Sequence, residues 1–333
     1  MSGSIAVQKP WTNAATRTLS QTGSAQVFVN LSNTITNAGI WNLDGNSATP
    51  ITSNILSGTF TNAAGGTLNK NTASLATLTG GFNNNGTVNV NAGTLVIDAS
   101  GTDGGTYNVP SGTTLNLSSG PRSITASGNI AGAGSLNVLG GIQNYNGTVF
   151  GLGTNGNVTI DAGFFGGFNI NTNLTIANPF TLRSGTLGGS GTVTVTGGSS
   201  LIGGFLQGTG AFVTNGPTTV SGDIFLSRTW NNNASGVVTV SGPGRVLFNG
   251  GGVINNDGTW NTNGTSTNSL VVNSGGLSIF NNSGTYNKNN AVVDTLSVAG
   301  DLLNGGFNNN GTVNVNAGTL VIDASGTDSG TYN

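Results

Sequence analysis

The residues of this chain that could carry chemistry are few and of few types. Among its 333 residues there is no cysteine and no histidine, and every acidic residue is an aspartate. The ten aspartates are Asp44, Asp98, Asp103, Asp161, Asp223, Asp257, Asp294, Asp301, Asp323 and Asp328. Thiol nucleophiles, histidine triads and the usual zinc sites are therefore excluded within this chain.

Two pairs of aspartates have a spacing that invites a calcium interpretation. Asp98 and Asp103 follow one strand-like segment, and Asp323 and Asp328 repeat them. Ca²⁺ takes six to eight oxygen ligands, so two carboxylates fall well short. Aspartate at a strand end also forms Asx turns. We predict a structural role, keep calcium as the alternative, and expect no cofactor. Asp98→Asn or Asp103→Asn should leave the calcium response and the fold nearly unchanged.

Cleavage of a polysaccharide would need two carboxylates facing each other across a groove. Asp161 and Asp223 are isolated in the sequence, and no glutamate or histidine exists to assist them. Because the usual acid and base residues are scarce, we predict that the chain is not an enzyme. A groove of aspartate and tryptophan from neighbouring coils would favour the alternative function, a glycan-binding or glycan-cleaving β-helix.

Aromatic side chains are the candidate binding residues because their rings can stack on sugars. The candidates are Trp11, Trp41, Trp230, Trp260, Phe164, Phe165 and Phe168. Tryptophan is highly buried on average, so core packing is the favoured interpretation for all four. The phenylalanine cluster would be an interaction patch if exposed and part of the core if buried.

A long sequence repeat organises the chain that must position these residues. Gly80–Asn108 returns as Gly305–Asn333 with one difference in 29 positions, Gly104 against Ser329. Such a repeat indicates a repeat architecture. We predict a start or expression scar at 1–8, a first repeat unit at 9–228, and a truncated second copy at 229–333. The chain would then be a fragment of a longer array that forms one continuous rod.

A shorter period runs inside the long one. Leu187 and Leu206 each begin a copy of the pattern apolar-x-Gly-x-Gly-x-apolar. Phe60, Phe82 and Tyr107 recur at somewhat wider intervals in a second pattern, in which asparagine follows the aromatic residue. These spacings predict solenoid coils of about 19–25 residues.

Alternating side chains indicate that each coil consists of short strands. In Thr192-Val193-Thr194-Val195 the valines would point inward and the threonines outward. Stacking of coils would align identical positions, so that turn asparagines such as Asn83–Asn85 and Asn308–Asn310 form amide ladders. The number of strands in a coil cannot be derived from the pattern.

The composition agrees with strands and tight turns. Only 5% of the residues are charged, 58 are glycine, and the net charge is −2, whereas a soluble domain has about 25% charged residues. The apolar fraction of 35% argues against disorder. The low charge provides no basic surface that could bind nucleic acid. No apolar run approaches the roughly 20 residues of a membrane span. We predict an all-β parallel β-solenoid.

At Gly185-Thr-Leu-Gly-Gly-Ser-Gly-Thr-Val-Thr-Val195 the chain resembles the β-strand repeats of bacterial autotransporter passengers and filamentous-haemagglutinin-like adhesins. Ala92–Ile97 and Gly112–Leu117 are similar to the same repeats, and the resemblance covers most of 58–240 loosely. It implies a single-stranded right-handed parallel β-helix on a bacterial surface, with adhesion or matrix building as the usual role.

The sequence thus predicts a structural segment of a large repetitive bacterial surface or secreted protein, an adhesin stalk or fibre. Its location would be extracellular or on the cell surface. Its partners would be itself, end to end or in a fibre, and surface glycans or the surface of a host or other cell. A third hypothesis is an ice-binding solenoid, which the irregular Thr-x-Thr rows disfavour.

Overall fold

The computed structural model describes residues 1–152, 156–276, 278–298 and 306–333. Every helix or strand within these ranges is a β-strand. The prediction of an all-β fold of stacked parallel strands, a β-solenoid, is therefore confirmed, with about 14 turns over the described ranges. The chain divides into two compact units, Met1–Thr172 and Asn173–Asn333.

The first unit contains the strands β1 Ile5–Val7, β2 Trp11–Asn13, β3 Thr18–Gln21, β4 Val27–Val29, β5 Thr34–Asn37, β6 Ile40–Leu43, β7 Ile51–Thr52, β8 Thr59–Asn62, β9 Thr67–Lys70, β10 Ala76–Asn84, β11 Thr87–Val90, β12 Thr94–Asp103, β13 Thr106–Asn108, β14 Thr114–Leu117, β15 Arg122–Ile124, β16 Asn129–Ala131, β17 Ser135–Val138, β18 Ile142–Tyr145, β19 Val149–Gly151, β20 Val158–Asp161 and β21 Gly167–Ile170.

Three short strands form a coil of the first unit, as β4, β5 and β6 do. Each of them pairs in parallel with the equivalent strand of the next coil, β7, β8 and β9. The strands β10 and β12 are longer, and each continues through the corner between two faces of the coil. The register places like residues together, as where Asn37 pairs with Asn62.

The alternation of side chains explains why these residues form strands around a core. In β11, Val88 and Val90 are fully buried, while Thr87 and Asn89 face outward. Burying one such apolar side chain stabilises the fold by about 1.5–3 kcal/mol. The sequence pattern Thr-Val-Asn-Val thus encodes both the strand and the face that it buries.

Glycine is required where the chain turns against the coil below. A Cβ atom on Gly101 would lie 1.8 Å from the carbonyl oxygen of Phe82, closer than any side chain can approach. Gly132 has a φ of 113°, a conformation that residues with a side chain rarely adopt. The high glycine content therefore serves the tight stacking of the corners.

The second unit contains β22 Leu174–Ile176, β23 Phe180–Ser184, β24 Thr186–Gly188, β25 Val193–Val195, β26 Ser199–Leu201, β27 Gly204–Leu206, β28 Phe212–Thr214, β29 Pro217–Val220, β30 Asp223–Leu226, β31 Thr229–Asn232, β32 Val237–Val240, β33 Arg245–Asn249, β34 Val253–Asn256, β35 Thr259–Thr262, β36 Leu270–Ser274, β37 Ile279–Asn282, β38 Thr285–Lys288, β39 Val293–Leu296, β40 Gly306–Asn309, β41 Thr312–Val315, β42 Thr319–Ile322 and β43 Thr331–Tyr332.

The second unit is built in the same way, with parallel pairs between strands of successive coils. The coil length extends slightly beyond the predicted range at both ends. Phe212 pairs with Trp230 across a coil just shorter than that range, whereas Phe280 pairs with Phe307 across a longer one. Turns and loops between the strands absorb the difference in length, so the strands themselves stay in register.

The sequence repeat and the compact units divide the chain at different places. The predicted repeat boundary lies between 228 and 229, and the units meet after Thr172. The repeat boundaries, the right-handed sense of the coil and the continuous rod stay predictions.

Candidate functional site

The four calcium candidates do not share one site. Asp98 and Asp103 both lie on β12, but Asp98 is exposed and Asp103 is fully buried. Their copies Asp323 and Asp328 are both exposed, and Asp328 accepts a hydrogen bond of 2.8 Å from the Tyr332 hydroxyl. In the ranges that the structure describes, no three acidic residues cluster so as to hold a metal ion.

The buried Asp103 carboxylate is bound by Arg122 from the next coil. Nη1 of Arg122 donates to both oxygens of Asp103, at 2.8 and 2.6 Å. Nη2 of the same guanidinium donates to the carbonyl oxygens of Phe82 and Ala99. Burial alone would lower the pKa of Arg122. The interactions with Tyr107 and Asp103 outweigh this effect, so the pKa of Arg122 is raised. We therefore correct the expectation that Asp103→Asn leaves the fold nearly unchanged, because this change removes half of a buried ion pair.

Three further cations are buried among backbone carbonyls. Lys70 is fully buried and donates to the carbonyl oxygens of Thr72 and, at 2.8 Å, of Ala92. Lys288 is likewise buried, and it donates to the carbonyl oxygen of Ala317 at 2.8 Å. Burial lowers the pKa of each lysine. The sequence signal for both is their place two residues after an inward-facing apolar residue, which predicts an inward side chain.

Arg228 is the third of these cations, and it lies in the second unit. Its guanidinium donates to the carbonyl oxygens of Gly210 at 2.6 Å and Ala211 at 3.1 Å, and its side chain is buried. Burial lowers the pKa of Arg228 to about 10, so the side chain stays charged at neutral pH. Nη2 also donates to the carbonyl oxygen of Gly191 at 3.2 Å, one coil before Gly210, so the guanidinium connects the corners of successive coils.

Asparagine side chains form ladders inside each unit. In the first unit every member of this inward ladder donates its amide to the next at 2.8–2.9 Å, in the order Asn13, Asn37, Asn62 and Asn84. In the second unit the order is Asn232, Asn256, Asn282 and Asn309, at 2.7–2.9 Å. All eight side chains are buried. Because a buried amide needs partners, each ladder favours one stacking register.

Further ladders lie on the outer surface and run the opposite way. In the first unit Asn108, Asn89 and Asn69 each donate to the preceding member, ending at Asn42. In the second unit two such ladders comprise Asn308, Asn281, Asn255 and Asn231, and Asn333, Asn314, Asn287 and Asn261. The expected amide ladders are thus present, and the recurrent Asn84, Asn308 and Asn309 belong to them.

Three of the four tryptophans offer no ring face to a ligand. Trp41, Trp230 and Trp260 are fully buried, and only Trp11 is exposed, to 38%. In the first unit the Trp41 ring centroid lies 5.7 Å from that of Trp11 and 5.0 Å from that of Phe60. For these three, the interpretation as core residues replaces that as sugar-stacking platforms.

The phenylalanine cluster divides between surface and core. Phe164 and Phe165 are 70% and 88% exposed at a turn, with ring centroids 5.1 Å apart, while Phe168 is fully buried in β21. Phe164 and Phe165 therefore form an apolar knob on the surface of the first unit.

The described residues include no helix long and apolar enough to cross a membrane. Comparison of the chain with models of protein families, with curated proteins and with solved structures gives no match in any of the three.

Proposed function

We propose that this chain is a structural segment of a large repetitive bacterial protein, surface-displayed or secreted, that serves as an adhesin stalk or fibre. The observation that supports this most is the repetition of the same amide ladder on successive coils, buried in both units. A solenoid in which each coil is stabilised mainly by its neighbours gains length by adding coils. Weak contacts from repeated outer faces would add up through multivalency.

The location is tested with antibodies raised against the 333-residue chain. We expect them to label intact cells of the source organism, or the material that those cells release. Labelling that requires permeabilised cells would contradict the proposal. An antibody against a cytoplasmic protein of the same cells is the control for cell integrity.

Self-association end to end is the second part of the proposal. In this chain the last strands leave Val321 and Tyr332 39% and 44% exposed. An uncovered strand edge is a template for another strand, and a head-to-tail contact propagates instead of closing. The first strands offer exposed apolar residues of their own, Ile5 at 42% and Trp11 at 38%.

Sedimentation velocity over a range of concentrations measures this association. We expect species larger than the monomer that grow with concentration, and fewer of them for Val321→Lys, because a charge on an edge strand opposes pairing. The exposed substitution Val237→Lys, away from the last strands, is the matched control. A strict monomer at high concentration would refute this part of the proposal.

A further inference from the structure

An open cleft in the second unit is lined by charged and hydroxyl-bearing side chains. Its volume is about 490 Å³, and it is lined by Gly222, Asp223, Pro243, Arg245, Thr265, Ser266 and Thr267. Asp223 and Arg245 begin β30 and β33, which pair in parallel with these two residues in register. The stacking of two coils therefore fixes a carboxylate and a guanidinium side by side on the wall of the cleft.

Asp223 and Arg245 hold each other in a planar arrangement that leaves hydrogen-bonding capacity free. Nε of Arg245 donates to Oδ1 of Asp223 at 2.9 Å, and Nη2 donates to Oδ2 at 2.6 Å. The two side chains are 38% and 40% exposed. In the described part of the chain Nη1 of Arg245 has no hydrogen bond, and each carboxylate oxygen keeps a lone pair.

Thr265, Ser266 and Thr267 add hydroxyl groups to the lining of the cleft. Thr265 donates to the carbonyl oxygen of Gly242, and the Ser266 hydroxyl accepts from the backbone N–H of Asn268. Each of these hydroxyls can still form a further hydrogen bond, and Thr267 adds a third hydroxyl to the lining. Hydrogen-bond donors and acceptors thus line one volume.

This lining selects for a neutral ligand with many hydroxyl groups. The cleft carries one negative and one positive side chain, so an anion would face Asp223 and a cation would face Arg245. A sugar hydroxyl both donates and accepts, and adjacent hydroxyls can bind a carboxylate and a guanidinium together. The hydrogen bonds with Asp223 raise the pKa of Arg245, so its guanidinium stays charged across the neutral range.

Apolar surface lies next to the charged pair. Phe225 follows Asp223 by two residues on β30, so its side chain leaves the same face of the sheet about 7 Å away. Its ring stacks on that of Phe205, with centroids 4.9 Å apart and an angle of 22° between the planes. Both rings are half-buried. A ligand longer than one sugar could place its C–H surface on these rings.

We propose that the cleft between Asp223, Arg245 and Thr267 binds a neutral saccharide. The stacked rings of Phe205 and Phe225 would extend this site for an oligosaccharide. The site is independent of the stalk function, because it needs only the coils that carry these five residues.

The test uses the whole chain on an array of immobilised neutral, acidic and amino-sugar glycans, followed by calorimetric titration of the bound ones. We expect binding to at least one neutral glycan. Asp223→Asn, Arg245→Gln and Thr267→Ala should each weaken it by tenfold or more. The variant with both Asp98→Asn and Arg17→Gln, two exposed residues of the first unit, is the matched control and should bind normally.

A charge swap separates binding from a structural role. In the double variant Asp223→Arg with Arg245→Asp the ion pair is kept, but the donors and acceptors exchange places. We expect an unchanged melting temperature and no recovery of glycan binding. The proposal would be overturned if the double variant recovered the wild-type affinity or if the single variants bound glycan as tightly as the wild type. It would also be overturned if no neutral glycan bound on the array.

Discussion

Asp103 and Arg122 form an ion pair with an N–O distance of 2.6 Å, and neither side chain is exposed to solvent. The pair continues the inward ladder of the first unit, because the backbone N–H of Asn84 donates to Asp103 at 3.0 Å. Asp328 has the same place in the sequence repeat, yet it is exposed and bonded to Tyr332. The two aspartates thus have different partners, Arg122 for Asp103 and Tyr332 for Asp328.

Replacing the arginine of this pair should be strongly destabilising. Arg122→Met leaves the Asp103 carboxylate buried without its partner, which lowers the free energy of unfolding by about 3–5 kcal/mol. Denaturant unfolding followed by circular dichroism measures the change. Arg245→Met is the matched control, because its pair with Asp223 is partly exposed and should contribute less than about 1 kcal/mol. Equal losses for the two variants would contradict the importance of burial.

The inward ladder should matter more for stability than the outward ones. Asn62→Ala removes a buried amide that accepts from Asn37 and donates to Asn84, so each neighbour loses a partner away from water. We expect a loss of about 2–6 kcal/mol, since each of the two unsatisfied groups costs about 1–3 kcal/mol. Asn89→Ala makes the same change in an outward ladder, where water replaces the amide, and should cost less. A larger loss for Asn89→Ala in thermal unfolding would refute this assignment.

Calcium should leave the stability of the chain unchanged. Asp98 is exposed, so Asp98→Asn is expected to melt like the wild type with calcium or with a chelator. Asp103→Asn should melt at a lower temperature by the same amount in both conditions, because the loss comes from Arg122. Scanning calorimetry measures both variants. A chelator-induced drop of many degrees in the wild type would show a calcium site instead.

Alkaline pH should destabilise the fold through its tyrosines. Burial raises the pKa of Tyr107, Tyr145 and Tyr286, with the charge of Asp103 adding to the shift of Tyr107. The unfolded chain releases these protons near pH 10 and the folded chain does not, so stability is full below pH 10 and falls as the pH rises above it. Absorbance in the near ultraviolet, where ionised tyrosine absorbs, follows the titration. Reversible ionisation of these three tyrosines near pH 10 without unfolding would contradict their burial.

The strand faces could be predicted from the sequence because the alternation of side chains is a local property. Val193 and Val195 lie inside as expected, and the recurrence of Asn84 and Asn309 indicated the ladders. The partner of Asp103 could not be predicted in this way. Arg122 reaches it across one coil, and the variable coil length hides which residues become neighbours.

The same limit applies to the cleft. Asp223 is isolated in the sequence, and its contact with Arg245 depends on the pairing of β30 with β33. The tryptophans could be predicted without the register between coils. Tryptophan is generally buried, and this tendency predicted correctly that three of the four are in the core. Local periodicity therefore predicts whether a side chain points inward or outward. The register between coils determines which side chains come into contact.

Small-angle X-ray scattering of the 333-residue chain tests the central claim most directly. Stacked coils about 4.8 Å apart predict a single stiff rod with a length on the order of 70 Å. A cross-section that stays constant along this length would support the function as a stalk or fibre. Scattering from two compact bodies joined by a flexible hinge would contradict it.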